Sequence, residues 1–164
     1  MKNIAFLWAV LSISTIGLAQ DKPSFAGNWE LDVTQSDFGS EPAPKSLAGT
    51  IFKDTPQMLS YRVHGVDDKG KPFWYSWSGP EDGSMHRIIV DGKPNGQQGV
   101  KKEQDGTIIR HGDDPRDGSS FDARDSLSAD GNTETSEETD KLKDGTINKQ
   151  KVIFRRGASS PHLQ

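Results

Sequence analysis

The chain has 164 residues, 31% hydrophobic and 27% charged, with 17 glycines, 9 prolines and a net charge of −4. That length suits one domain, and a mean hydropathy of −0.74 leaves its core to a few aromatic and branched side chains. The acidic balance argues against nucleic-acid binding, and the lack of cysteine excludes disulfides, thiolate metal sites and a cysteine nucleophile.

In chain order, Met1-Lys2-Asn3 is a short cationic start and Ile4 to Ile16 an apolar stretch. Gly17-Leu18-Ala19 then puts small residues at −3 and −1, the layout of a signal peptide cleaved after Ala19. The stretch is too short and too interrupted by Ser and Thr to span a bilayer, which takes about 20 apolar residues. Export to the periplasm or beyond is therefore expected, with no membrane span in the mature chain. Lys2 is the only charge in the leader, so the mature chain is one unit more acidic.

From Gln20 onward short alternating runs follow one another: Trp29-Leu31-Val33, Leu59-Tyr61-Val63 and Phe73-Tyr75-Trp77, then Ile88-Val90, Phe121-Ala123 and Val152-Phe154. Period two with aromatic and branched residues marks half-buried strands. Between the runs sit Asp68-Lys69-Gly70, Glu81-Asp82-Gly83, Asp91-Gly92, Asp105-Gly106, Asp117-Gly118, Asp130-Gly131 and Asp144-Gly145. Most lie roughly 12 to 14 residues apart, the spacing of consecutive hairpins. The reading is all-β: a single antiparallel meander of eight to ten strands over residues 20–156. Closure into a barrel hides its edges, and a two-sheet sandwich is the competing arrangement. Gln35 to Ser46 is too long for a hairpin turn and is expected over the barrel mouth; residues 157–164 read as a disordered tail.

Gly27-Asn28-Trp29 opens the first mature strand, and Phe154-Arg155-Arg156 closes the last. Ser36-Asp37-Phe38, Pro42 to Ser46 and Leu127 to Asn132 lie between them. Together these resemble small secreted bacterial proteins with a lipocalin-like, or calycin-type, barrel. The resemblance implies that Trp29 packs across the closed end with an arginine, Arg155 or Arg156, over its ring. Gly27, Trp29, Arg155 and Arg156 are thus the closure set. Such a cation–π contact contributes about 0.5–2 kcal/mol.

The densest aromatic cluster puts Phe73, Tyr75 and Trp77 on one strand face and Trp74 on the other. Those three are either plain core or a wall for a small apolar or amphipathic ligand. Tyr61 and the in-phase His86 complete the candidate ligand-lining set. His64 is out of phase with its strand's apolar residues, so it and His86 are expected on opposite sides. Convergence of His64, His86 and His111 on a metal is not indicated by spacing, and no motif calls for a cofactor. Asp113, Asp114, Arg116 and Asp117 read as a solvated turn. In the acidic run Glu134 to Asp140, Thr133, Thr135 and Thr139 are read on one face and acids on the other, with the threonines as a possible polar lining. Three functions follow: a ligand-binding barrel first, an envelope interaction module without a pocket second, and a barrel enzyme using His86 or His111 third.

Overall fold

The structure, a computed structural model, describes residues 22–157. The expected leader, and all of the expected tail except Gly157, lie outside the described residues. Ten strands run in order: β1 (Gly27–Leu31), β2 (Ser46–Thr55), β3 (Met58–Val66), β4 (Pro72–Gly79) and β5 (His86–Val90) come first. They are followed by β6 (Lys93–Lys102), β7 (Ile108–Asp114), β8 (Ser119–Leu127), β9 (Thr133–Lys141) and β10 (Ile147–Arg156). Among the described residues no helix is long and apolar enough to cross a membrane.

Each connection from β3 to β10 carries one of the acid–glycine turns. Asp105, Asp117, Asp130 and Asp144 each accept the backbone N–H two residues on, at 2.9–3.1 Å. That side-chain bond mimics a backbone turn and starts the hairpin. The tightest connection, Asp91-Gly92, has φ of 48° and 78°, the doubly left-handed geometry of a two-residue hairpin loop.

Every strand pairs antiparallel with its sequence neighbours, and β1 pairs with β10 to close the barrel. Closure settles the barrel-or-sandwich question and leaves no free sheet edge. The expected alternation Trp29-Leu31-Val33 stops at Leu31; Val33 lies in a turn and is exposed. Phe52 follows the inward Ile51 and points to solvent, and the register shift between Ile51 and Lys53 then puts Asp54 rather than Lys53 on the inward side, opposite Leu59. Phe25, Leu59, Trp77, Val100 and Ile108 form the buried core.

The end where the chain enters is plugged. Trp29 is 2% exposed, its Nε1 donates to Phe25 O at 2.8 Å, and the Arg156 guanidinium lies 4.3 Å above its ring. Arg156 also donates to the carbonyls of Gly131, Ala26 and Ser24 at 2.7–2.8 Å, tying three segments across the opening. Of the two candidate arginines only Arg156 takes this place. It is paired with the inward Trp29, so strand alternation sends Arg155 outward to Asp32 and Thr133. Gly27 (φ 135°) serves the same closure, because a Cβ there would collide with the Arg156 guanidinium.

The long loop after β1 does not simply drape over the opposite end. Asp37 pairs with Lys151 through two backbone bonds of 2.8 Å, prolonging the β1–β10 ladder. Farther on, the buried Asn148 side chain accepts from Ser40 N at 2.8 Å and donates to Phe38 O at 3.3 Å.

Candidate functional site

The inward positions of the middle strands build two unlike walls around a cavity of about 90 Å³. Tyr61 and Tyr75 line one side; Arg110, Asp125, Glu134 and Ser136 line the other. The volume is well below the roughly 300–1,000 Å³ of pockets for drug-sized ligands.

The aromatic wall comes from β3 and β4. Tyr61 stacks on Trp77 with centroids 6.1 Å apart and meets Tyr75 edge-on at 6.2 Å. Trp77 Nε1 donates to Gln98 O at 3.0 Å, and Tyr61 OH donates to Gln98 Oε1 at 3.2 Å. Gln98 is 1% exposed, so these bonds satisfy polar tips that burial would otherwise penalise. Burial raises the pKa of both tyrosines, so their hydroxyls stay protonated as donors.

The polar wall is centred on Arg110 of β7. Its Nε donates to Asp125 Oδ2 at 2.6 Å, and its Nη2 reaches Asp125 Oδ1 and Ser136 Oγ at 3.1 Å and Glu138 Oε2 at 3.3 Å. The Phe121 ring sits 5.6 Å from the same guanidinium. Burial opposes the charge on Arg110, but Asp125 and Glu138 outweigh it and hold the arginine firmly protonated. Glu134 is pushed up to about 8, first by burial and then by the Asp125 charge. Glu138 is pushed up to about 7 by burial, against the attraction of Arg110. At neutral pH the cavity therefore presents a protonated Glu134 carboxyl and the Tyr75 phenol as donors, with the Tyr61 oxygen as an acceptor, beside a saturated ion pair.

The acidic run on β9 corrects the sequence reading. Glu134, Ser136, Glu138 and Asp140 pair with the inward Leu127, Asp125, Ala123 and Phe121, so the acids line the interior. Thr133, Thr135 and Thr139 face outward together with Glu137.

Of the expected ligand-lining residues, the cavity takes in Tyr61 and Tyr75 and not Phe73, Trp77 or His86. Phe73 packs towards Gly65 near the far end of the barrel. Trp77 is spent in the core beneath Tyr61, and His86 lies edge-on to it at 6.1 Å. His64 is exposed on the outer face opposite Trp74, and the Arg62 guanidinium lies 5.4 Å over the Trp74 ring. His111 is also exposed, 2.8 Å from Asp122 Oδ1. The three imidazoles do not converge, and none lines the cavity. Among the described residues no group of three or more His, Asp or Glu side chains is arranged to hold a metal. Arg116 of the charged turn bonds Asp114 and reaches Asn95 Oδ1 at 2.6 Å. The large exposed apolar residues Val33, Phe52, Met85 and Ile147 sit on four separate segments.

Arg110, Asp125, Gln98 and Glu134 are the site residues that sequence reading did not single out. One signal was available: Ile108-Arg110-Gly112 alternates in phase with a buried isoleucine, which points the arginine inward.

The fold and interior together define a closed, ten-stranded antiparallel meander barrel with an aromatic-and-charged cavity. No family model and no curated protein matches the chain. Among solved structures it is similar to a redesigned β-barrel, at 12% identity and a TM-score of 0.50, over 81% of this chain and 91% of that one. At that identity the likeness concerns the fold alone.

Proposed function

We propose that this chain is an exported, lipocalin-like barrel that holds a small amphipathic molecule between its two interior walls. The supporting observation is the pairing of Tyr61 and Tyr75 with Glu134, Ser136 and the Arg110–Asp125 pair around one cavity. An apolar body fits the aromatic side. A polar head with acceptor atoms meets the protonated Glu134 and the Tyr75 hydroxyl. The size of the cavity restricts the guest to a few heavy atoms or to one end of a longer molecule. Export rests on the leader at residues 1–19, and the lipocalin-like assignment on Gly27, Trp29 and Arg156 at the closed end.

Native mass spectrometry of protein purified from an exporting bacterial host tests this reading. The expected spectrum carries an adduct of constant mass that weakens in Tyr75→Ala. A bare protein peak under all gentle conditions would count against a ligand. N-terminal sequencing of the same sample is expected to begin at Gln20.

A further inference from the structure

Three ionisable side chains meet at the closed end of the barrel, and none of them lines the cavity. Asp54 reaches inward from β2 because of the register shift at Phe52. Lys102 ends β6 opposite Ile108. Glu81 comes from the β4–β5 connection, which is tied down by Glu81 N to Pro56 O at 3.3 Å and Gly83 N to Val100 O at 2.8 Å. The side chains of Asp54 and Glu81 are 1% and 2% exposed, and that of Lys102 is 25% exposed.

The two oxygens of Asp54 have different surroundings. Oδ2 accepts Phe25 N–H at 2.7 Å and the Ser24 hydroxyl at 2.8 Å, the donor pair an oxyanion needs. Oδ1 is in direct contact with Lys102 Nζ. That nitrogen is also 3.9 Å from Glu81 Oε1 and 5.7 Å from the centroid of the Phe25 ring. Neither oxygen of Glu81 has a hydrogen-bond partner among the described residues, although both are buried. Leu59 and Ile108, the strand partners of Asp54 and Lys102, belong to the buried core. A partly buried amine, a buried carboxyl with its carbonyl side already held, and an unsatisfied second carboxyl beside them suit amide formation better than a plain ion pair. An amide removes two charges from a poorly solvated site.

We infer that Lys102 and Asp54 condense into an intramolecular isopeptide bond, with Glu81 carrying the protons. Burial, and then the neighbouring Asp54, push Glu81 up to about 7, so it holds a proton to give. Despite its burial Asp54 is held low by Lys102, Ser24 and the Phe25 N–H, so the starting pair is ammonium and carboxylate. Glu81 protonates Oδ1 and takes a proton from the ammonium, leaving a neutral amine. The Nζ lone pair attacks Cγ, and the C=O electron pair moves onto Oδ2, where Phe25 N–H and the Ser24 hydroxyl hold it. Glu81 then moves a second proton from Nζ to Oδ1. The Cγ–Oδ1 bond breaks and water leaves as the carbonyl re-forms on Oδ2. One ammonium and one carboxylate give one amide and one water, and Glu81 ends as it began. The bond staples β2 to β6 across the closed end of a chain that has no disulfide to do so.

Intact-mass spectrometry of the denatured, purified protein is the test, with Lys102→Arg prepared in parallel to fix the unlinked mass. The wild-type chain is expected one water lighter than its sequence requires, and proteolysis is expected to give a branched peptide joining Asp54 to Lys102. Lys102→Arg and Asp54→Ala are expected at full mass. Glu81→Gln is expected to fold, by its circular dichroism, yet to gain the link at least tenfold more slowly. Should Glu81→Gln fail to fold, the wild-type mass and peptide map decide alone. A full-mass wild-type chain with separate Asp54 and Lys102 peptides, after prolonged incubation of the folded protein at neutral pH, overturns the inference and leaves an ion triad only.

Discussion

On β3 and β4, Tyr61, Tyr75 and Trp77 hold one half of the interior by ring contact, with each polar tip bonded or turned to the cavity. On β7 to β9 the same depth of the barrel is filled by Arg110, Asp125, Ser136, Glu134 and Glu138. The first half gains from apolar area removed from water. The second works only as a set, because each buried charge depends on the others for compensation. A chain with so few aliphatic residues can still close a barrel by filling half of it with a satisfied ionic network. The same economy leaves a gap where the two unlike halves meet.

The contrast can be broken most severely at Arg110. Arg110→Met removes the cation that bonds Asp125 and Glu138 and is expected to cost about 3–5 kcal/mol in urea unfolding, the usual penalty for stranding a buried partner. On the aromatic side, Trp77→Leu is expected to cost about 2–4 kcal/mol, because a cavity is left but no charge is stranded. An aromatic substitution costing more than Arg110→Met would reverse the comparison.

A pH series sharpens it further. Glu134 and Glu138 sit at about 8 and about 7 in the folded protein against an ordinary 4.5. Below pH 4.5 both states hold these protons. Above it the unfolded chain ionises while the barrel keeps Glu138 neutral up to about pH 7 and Glu134 up to about pH 8, so stability falls as pH rises and then levels off. Tm is expected to drop by several degrees from pH 5 to pH 8, and Glu134→Gln to flatten that slope. The turn aspartates act in the opposite sense: Asp130, held near 2 by Ser128 and Asn132, loses its contribution as pH falls through that value. Smaller still, Tyr61→Phe deletes one hydrogen bond to Gln98 and is expected to cost about 1 kcal/mol. His111→Ala, on the outer face, is expected to stay within about 0.5 kcal/mol.

The two walls also differ in how far they could be read from residues alone. Phe73-Tyr75-Trp77 alternates with polar neighbours, and the acid–glycine turns mark the ends of most strands, so the aromatic wall and the meander were both legible. Within that cluster the division between cavity and core was not, because Tyr75 and Trp77 differ by one step along a strand and not in chemistry. On β9 hydrophobic alternation has nothing to report, since Thr133 to Asp140 contains no apolar residue. Its inward face is decided by the register with β8 and by a cation on β7, both distant in sequence. The bulge in β2 is equally silent, and it turns Asp54 rather than Lys53 inward.

Carbon-13 NMR of the Glu134 carboxyl through a pH titration tests most directly whether β9 turns its acids into the barrel. A midpoint near 8, well above the ordinary 4.5, is the expected result. An ordinary carboxylate midpoint would place Glu134 in solvent, with the threonines facing inward, and would contradict the charged wall on which the proposed site depends.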